Sequence, residues 1–393
     1  MRLGFIINTC EPFYRGGYET RTWEFARALA ARGHDVTLFT SCPQAQTIDG
    51  VHFEPLVPPR RYFNRRGVRN LYADVLFAAA VLKLSRWDGE FDVIDACATP
   101  FIHLFPLAHV CRMRRWPFVA TCHEALQADI DSYIAERGVT GGLFSRIYAR
   151  LLRGIYRAAQ RQPGHLLAVS HATARGLAQE GWGVVPVVEF GLREMPDTMP
   201  SKPDHARTQL INVGRHTPIK RLDVVLHALA LVQTRTEAFH LHLVGSGAME
   251  SAWRQLAADL GLSAHVTFHS TLSDAERDKR LDEADLFLLG SVREGFSIAT
   301  IEAMAHGCAV IAASAPPPAR PNAVLDYLHD GGNSWIADGR AESFAEQILA
   351  AIQDRSRLRV RQHAAFVTAQ SYRLKDKVTQ LESFYRTIAL AKV

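Results

Sequence analysis

The sequence predicts a parallel α/β protein built as two domains. Short apolar runs alternate with segments of helical period along most of the chain. The alternation pauses at a polar, proline-bearing stretch holding Pro196, Pro200 and Pro203, then restarts. At 393 residues the chain is also longer than one hydrophobic core usually serves. Strand, turn, helix and strand in repeating order build a parallel sheet with helices on its faces.

The elements follow in order. Leu3-Gly4-Phe5-Ile6-Ile7 reads as the first strand, and the loop after it ends in Gly16-Gly17. A helix pattern runs over 18–31, Gly33 ends it, and 35–40 is a strand, completing a βαβ unit. Further strands are expected at 91–96, 118–122, 165–169 and 184–189. The pattern resumes at Leu210-Ile211-Asn212-Val213-Gly214 and continues to about residue 352, and 374–391 is helical. This gives an N-terminal domain over 1–192, a linker over 193–208, a C-terminal domain over 209–370 and a closing segment over 371–393. A cleft between two such domains is a favoured place for a ligand.

Composition excludes several classes. With 48% hydrophobic and 22% charged residues the chain lacks a disorder signature. The apolar stretch 71–84 is broken by Asp74 and Lys83 and is too short to span a bilayer. The N-terminus reads as a strand, not a signal peptide, so a cytoplasmic protein is expected. Cys10, Cys42, Cys97, Cys111, Cys122 and Cys308 show no metal or disulfide spacing and are expected to be buried, reduced thiols. No zinc motif is present, and no metal is expected to be needed. Residues 1–190 hold 22 Lys/Arg against 17 Asp/Glu, so the N-terminal half carries the whole excess of the +5 net charge. That excess suits an acidic partner or an anionic membrane surface.

The most informative stretch is Arg293-Glu294-Gly295-Phe296-Ser297-Ile298-Ala299-Thr300-Ile301-Glu302-Ala303-Met304-Ala305-His306-Gly307. It lies between the apolar runs 286–289 and 308–312, so it reads as the turn and helix of a parallel unit. Glu294 then falls in the loop above a strand end and Glu302 about a turn into the helix. Open α/β sheets bind ligands at that edge. Carboxylates accept several hydrogen bonds and suit hydroxyl-rich ligands. The amides of Gly295, Phe296, Ser297 and Ile298 at a helix start suit an anion. Upstream, Gly214-Arg215-His216-Thr217-Pro218-Ile219-Lys220 puts two cations in the loop after a strand, as a departing diphosphate requires. Gly16-Gly17 permits close backbone approach to phosphate or sugar. Gly245-Ser246-Gly247 lacks the third glycine of a dinucleotide loop, since Glu250 stands there, and reads as an ordinary turn.

Together these motifs resemble the retaining glycosyltransferases of GT-B fold, family GT4. Glu-x7-Glu running into Ala-Met-Ala-x-Gly is similar to that family's donor-site motif, and Gly-Gly-Tyr-Glu-x9-Leu-Ala-x2-Gly-His-Asp-Val resembles its opening block. The resemblance covers nearly the whole chain. It implies two Rossmann-like domains facing a cleft, with the last helix crossing back to the N-terminal domain. It implies transfer of a sugar from a nucleotide diphosphate, a UDP-sugar first, with GDP-, ADP- and dTDP-sugars also open. The implied catalytic residues are Arg215, Lys220, Glu294 and His123. The implied donor-binding residues are Gly16, Gly17, Gly214, Gly295, Phe296, Ser297, Ile298 and Glu302. Ser297 and Arg221 stand where the family commonly has glycine, and the proline-rich segment 315–321 replaces a more usual glycine-containing one. These departures bear on the donor's sugar and nucleotide, not on the reaction class. A nucleotide-sugar epimerase of the same fold and a non-catalytic sugar-nucleotide-binding protein are the other readings. The acceptor, whether glycan, lipid or small metabolite, is left open.

Two basic stretches stand apart. The loop 59–69 carries Arg60, Arg61, Arg65, Arg66 and Arg69 with two aromatics. Arg146, Arg150, Arg153, Arg157 and Arg161 recur at helical spacing beside Ile147, Leu151, Leu152 and Ile155. A solvated face is the plain reading; peripheral contact with the inner face of a membrane, or with an acidic acceptor, is the other. No nucleic-acid motif is present.

Overall fold

The computed structural model describes residues 1–59, 62, 70–99, 101–125, 130, 142–314 and 322–391. The arginines of the 59–69 loop and the 315–321 segment lie outside the described residues. The chain forms two compact units, Met1–Arg193 with Leu374–Val393, and Glu194–Arg373.

The first unit contains β1 (Arg2–Ile6), β2 (Asp35–Ser41), β3 (Gln46–Ile48), β4 (Val51–Val57), β5 (Val93–Cys97), β6 (Phe118–Cys122) and β7 (His165–Ala168). Their order across the sheet is β3-β4-β2-β1-β5-β6-β7, parallel except for the β3–β4 hairpin. That hairpin was not among the expected elements. Its signal was Asp49-Gly50, both at positive φ (47° and 78°), as a tight two-residue hairpin turn requires. The strand expected at 184–189 is reduced to one bridge between Ala168 and Val187. Pro186 has no N–H to extend a ladder, and Val184 beside it is fully exposed.

The closing helix Leu374–Leu390 belongs to this first unit. The Tyr385 hydroxyl donates to Asp95 Oδ2 at 2.5 Å, Lys377 pairs with Glu189 at 2.8 Å, and Arg32 pairs with Glu382 at 3.1 Å. Burial lifts the Asp95 carboxyl to about 6, against the pull of Tyr385, Thr121 and Arg21.

The second unit contains β8 (Thr208–Val213), β9 (Phe239–Val244), β10 (Val266–His269), β11 (Leu286–Leu289), β12 (Ala309–Ala313) and β13 (Ser334–Ala337). All its strand pairs are parallel, in the order β10-β9-β8-β11-β12-β13. Leu286, Phe287, Leu288 and Leu289 are all buried, as a central strand covered on both faces demands. Residues preceding β8 pack on this unit: Lys202 donates to the carbonyls of Leu281 and Asp282 at 2.9 and 3.0 Å. All six cysteines are free and buried, and burial raises the Cys42 thiol to about 11 and the Cys111 thiol to about 12.

In each sheet the winding reverses at one point, between β1 and β5 in the first and between β8 and β11 in the second. Loops diverge at such a point and leave a crevice at the carboxyl ends of the strands.

Candidate active site

At the reversal in the second unit, the loop after β8 and the loop after β11 are brought against each other. Gly290 makes this possible. A Cβ there would lie 2.6 Å from the Arg221 carbonyl oxygen and 3.0 Å from that of Lys220, so any side chain would push the loops apart. The Lys220 side chain lies over Gly214, where an added Cβ would meet its Cε at 3.6 Å. Lys220 Nζ then reaches Glu294 Oε1 at 2.7 Å, and the Ser291 hydroxyl donates to the same oxygen at 2.5 Å. With side-chain exposures of 23% and 13%, this pair is far better shielded than a surface ion pair. Gly245, at φ 134°, approaches Gly214 so closely that a Cβ would sit 2.0 Å from its carbonyl oxygen. The turn that reads as ordinary therefore supports the Gly214–Lys220 loop.

Beyond Glu294 the chain enters the helix Ile298–Ala305 through Ser297, whose backbone is left-handed at φ 67°. Tyr327 donates to the Phe296 carbonyl at 2.6 Å, and Asn322 donates to the Ser291 carbonyl at 2.7 Å. The amide of Ala323 donates to the Glu294 carbonyl at 3.2 Å. This loop is thus pinned from behind, while the amides of residues 295–298 lie at the helix start. Glu302, on that helix, has the Arg277 guanidinium 3.8 Å from Oε1. Arg215 shares the loop with Lys220 and is exposed. His216 between them is fully buried against Trp253 and Phe268, and burial lowers its pKa. Arg221 is also left-handed, at φ 49°. Both positions where this chain departs from the family's glycine therefore carry a backbone that glycine adopts without strain.

In the first unit, Gly16 and Gly17 lead into the helix Gly17–Ala31. A Cβ at Gly16 would strike the Glu19 carboxylate at 2.4 Å, whereas nothing lies within 4 Å of one at Gly17. The backbone at Gly17 is therefore open to a ligand. Glu19 itself is held by the Thr9 hydroxyl at 2.8 Å. The Tyr18 ring lies 4.1 Å from the His123 ring, and its hydroxyl donates to Glu124. His123 directly follows β6 with only 4% exposure, and its Nε2 has no partner among the described residues. Burial, with Arg21 adding to it, drives its pKa well below 6.5, so the imidazole is neutral.

The structure thus joins Lys220 with Glu294, sets Gly214 and residues 295–298 around them, and puts Glu302 on the adjoining helix. Gly16 and Gly17 stand at the start of the first unit's first helix, and His123 directly follows β6. Ser291, Asn322, Tyr327, Tyr18 and Arg277 were not anticipated as site residues. Ser291 had a local signal, three residues before Glu294 past the end of a strand, and Tyr18 lies in the Gly-Gly-Tyr-Glu block.

Residues 198–366 match the family model described as "Glycosyl transferases group 1", and residues 15–189 match that of "Glycosyltransferase Family 4". The chain belongs to the family 4 glycosyltransferases. A relative is the MMP alpha-(1->4)-mannosyltransferase of Mycolicibacterium hassiacum, 27% identical over 76% of this chain and 78% of its own length. Another is the D-inositol 3-phosphate glycosyltransferase of Thermomonospora curvata, 26% identical over 90% of this chain and 86% of its own. Among solved structures, HepE of Anabaena in complex with UDP matches with a TM-score of 0.70 at 16% identity, covering 98% of this chain and 100% of that one. Sucrose-phosphate synthase of Thermosynechococcus elongatus matches with a TM-score of 0.76 at 17% identity over 99% of both chains. These likenesses show the fold, and it is the GT-B fold of family 4 glycosyltransferases.

Proposed function

We propose that this family 4 glycosyltransferase transfers a sugar from a nucleoside diphosphate to an acceptor hydroxyl with retention of anomeric configuration. The observation that carries the reading is the Lys220–Glu294 contact at 2.7 Å, set where the second sheet reverses and beside a helix start. It puts a cation for the diphosphate next to a carboxylate for sugar hydroxyls. Lys220 and Arg215 would neutralise the departing phosphate, aided by the amides of Gly295, Phe296, Ser297 and Ile298. Glu302 would hold the ribose hydroxyls, with Gly214 giving the phosphate close approach. On the first unit, the open backbone at Gly17, with Gly16 before it, suits a phosphate, and neutral His123 suits a sugar hydroxyl. In the reaction the bond from the sugar's anomeric carbon to the diphosphate oxygen breaks and one to the acceptor oxygen forms. The acceptor proton passes to the leaving phosphate. Placement and charge stabilisation supply the rate, and no protein nucleophile is required.

UDP is the first candidate nucleotide, since HepE of Anabaena was solved with UDP and with UDP-glucose. The test is a screen of UDP-, GDP-, ADP- and dTDP-sugars for a rise in melting temperature, followed by transfer assays. Lys220→Ala and Glu294→Ala should each lower turnover about 10²–10³-fold with the fold intact. Full turnover in both variants would reject the site. Proton NMR of the first product reports its anomeric configuration, and an inverted product would reject retention. Activity should survive EDTA, because the two cations do the neutralising.

The same reading includes peripheral contact with an anionic membrane. Among the described residues no helix is long and apolar enough to cross a bilayer. The helix Gly142–Gln160 exposes Ile147, Leu151 and Ile155 beside an open apolar groove with Phe105, and Arg146 and Arg150 flank it. An apolar stripe edged by arginine fits a lipid headgroup layer. Cosedimentation with phosphatidylglycerol vesicles but not phosphatidylcholine vesicles, lost in Ile147→Glu/Leu151→Glu, would support this contact; equal sedimentation of the variant would reject it.

A further inference from the structure

We propose that Arg277 is a positioning residue that aims the Glu302 carboxylate at the donor ribose and so sets the preference for ribose over deoxyribose. This rests on the reading of Glu302 given above. Arg277 lies on the helix Asp274–Glu283, whose start is fixed by a capping box between Ser273 and Glu276. Its Nε and Nη2 both donate to Asp278 Oδ1, at 3.0 and 2.8 Å, and Nη1 reaches Asp274 at 3.2 Å. These contacts set the plane of the guanidinium. The same Nη2 then lies 3.8 Å from Glu302 Oε1 on the helix Ile298–Ala305.

The exposures explain why this is more than a surface ion pair. The Asp274 and Asp278 side chains are 61% and 39% exposed, so the two helix partners sit in solvent. The Arg277 and Glu302 side chains are only 17% and 23% exposed. An arginine serving its own helix would have stayed outside with its aspartates. Burial works against the Arg277 charge, yet Glu302 first, then Asp278 and Asp274, more than offset it and raise its pKa. With Oε1 facing a fixed cation, attraction favours one orientation of the carboxylate. A carboxylate held in one plane accepts from two neighbouring hydroxyls, as a ribose cis-diol presents them. A rotating one binds either hydroxyl but discriminates poorly, because the geometry of the second bond is lost.

The experiment titrates the full chain with UDP, GDP and ADP and with their 2′-deoxy counterparts by calorimetry. The expected wild-type preference for the ribonucleotide is about tenfold or more, the scale of one hydrogen bond to a charged group. Arg277→Leu should bring that ratio to within about twofold, and Arg277→Lys should recover part of it. Arg277→Gln, closer in shape, reads the same ratio should the leucine variant not fold. A ratio kept in Arg277→Leu or Arg277→Gln overturns the proposal and leaves the Glu302 reading standing. Wild-type protein that binds a nucleotide without ribose preference overturns both, and failure to bind any of these six nucleotides or dTDP overturns the donor-site reading itself.

Discussion

Replacing Arg221 by glycine should stabilise the second unit, although it removes a charged side chain from the edge of the site. Arg221 sits at φ 49° and ψ 39°, in the left-handed region. For a residue with a Cβ this costs about 1–2 kcal/mol. Glycine escapes that cost but surrenders about 0.5–1 kcal/mol of extra chain entropy on folding. The ion pair lost with Arg221 is its 3.7 Å contact with Asp223, where both side chains are over a third exposed, worth at most about 0.5 kcal/mol. Taking the middle of each range, the balance is a gain of about 0.5 kcal/mol, or about 1–2 °C in melting temperature for a unit of this size. Ser297 at φ 67° makes an instructive contrast, because its hydroxyl also bonds Thr300 Oγ1 at 2.8 Å. Losing that bond costs about 1 kcal/mol, so Ser297→Gly should change little. Calorimetry of wild type, Arg221→Gly, Arg221→Ala and Ser297→Gly decides the matter. If Arg221→Ala gains as much as Arg221→Gly, the strain argument is wrong, since alanine keeps the left-handed penalty.

Three further outcomes are expected. Gly290→Ala should cost about 1–3 kcal/mol in urea unfolding and weaken nucleotide binding, because the added methyl meets the Arg221 carbonyl at 2.6 Å; an unchanged midpoint and affinity would contradict the packing argument. Burial first, then His240, His269, Arg280 and His205, lower the His242 pKa from 6.5 to about 4. The unfolded chain therefore takes up this proton first, so the contribution of His242 is complete above pH 6.5 and is lost as pH falls toward 4. That fall corresponds to about 3 kcal/mol at most, roughly halved by partial exposure, and His242→Gln should flatten the decline in urea midpoint between pH 7 and 5. Tyr18→Ala, by uncovering the His123 ring that Tyr18 packs against, should move that imidazole's titration upward toward 6.5, read by NMR, whereas Tyr18→Phe should leave it in place.

What could be read from the chain was whatever lies contiguous in it. The stretch from β11 through the Glu294 loop to the helix holding Glu302 is one local unit, and its spacing alone put both carboxylates at a sheet edge. The Asp49-Gly50 hairpin was local too and went unread, its first strand being only three residues long. The strand expected over 184–189 failed for a backbone reason, the missing Pro186 N–H, which hydrophobic pattern does not weigh. Arg277 was hidden for the opposite reason. In Asp274-Ala275-Glu276-Arg277-Asp278-Lys279-Arg280 every neighbour but one is charged, so nothing marks one arginine as partly shielded. The pairing of Lys220 with Glu294 joins residues 74 positions apart. It depends on β8 and β11 lying side by side where the sheet reverses, and on one glycine that lets their loops touch. Motif spacing named both residues, but only sheet order makes them neighbours, and Gly290, unremarked in the sequence, decides how near they come.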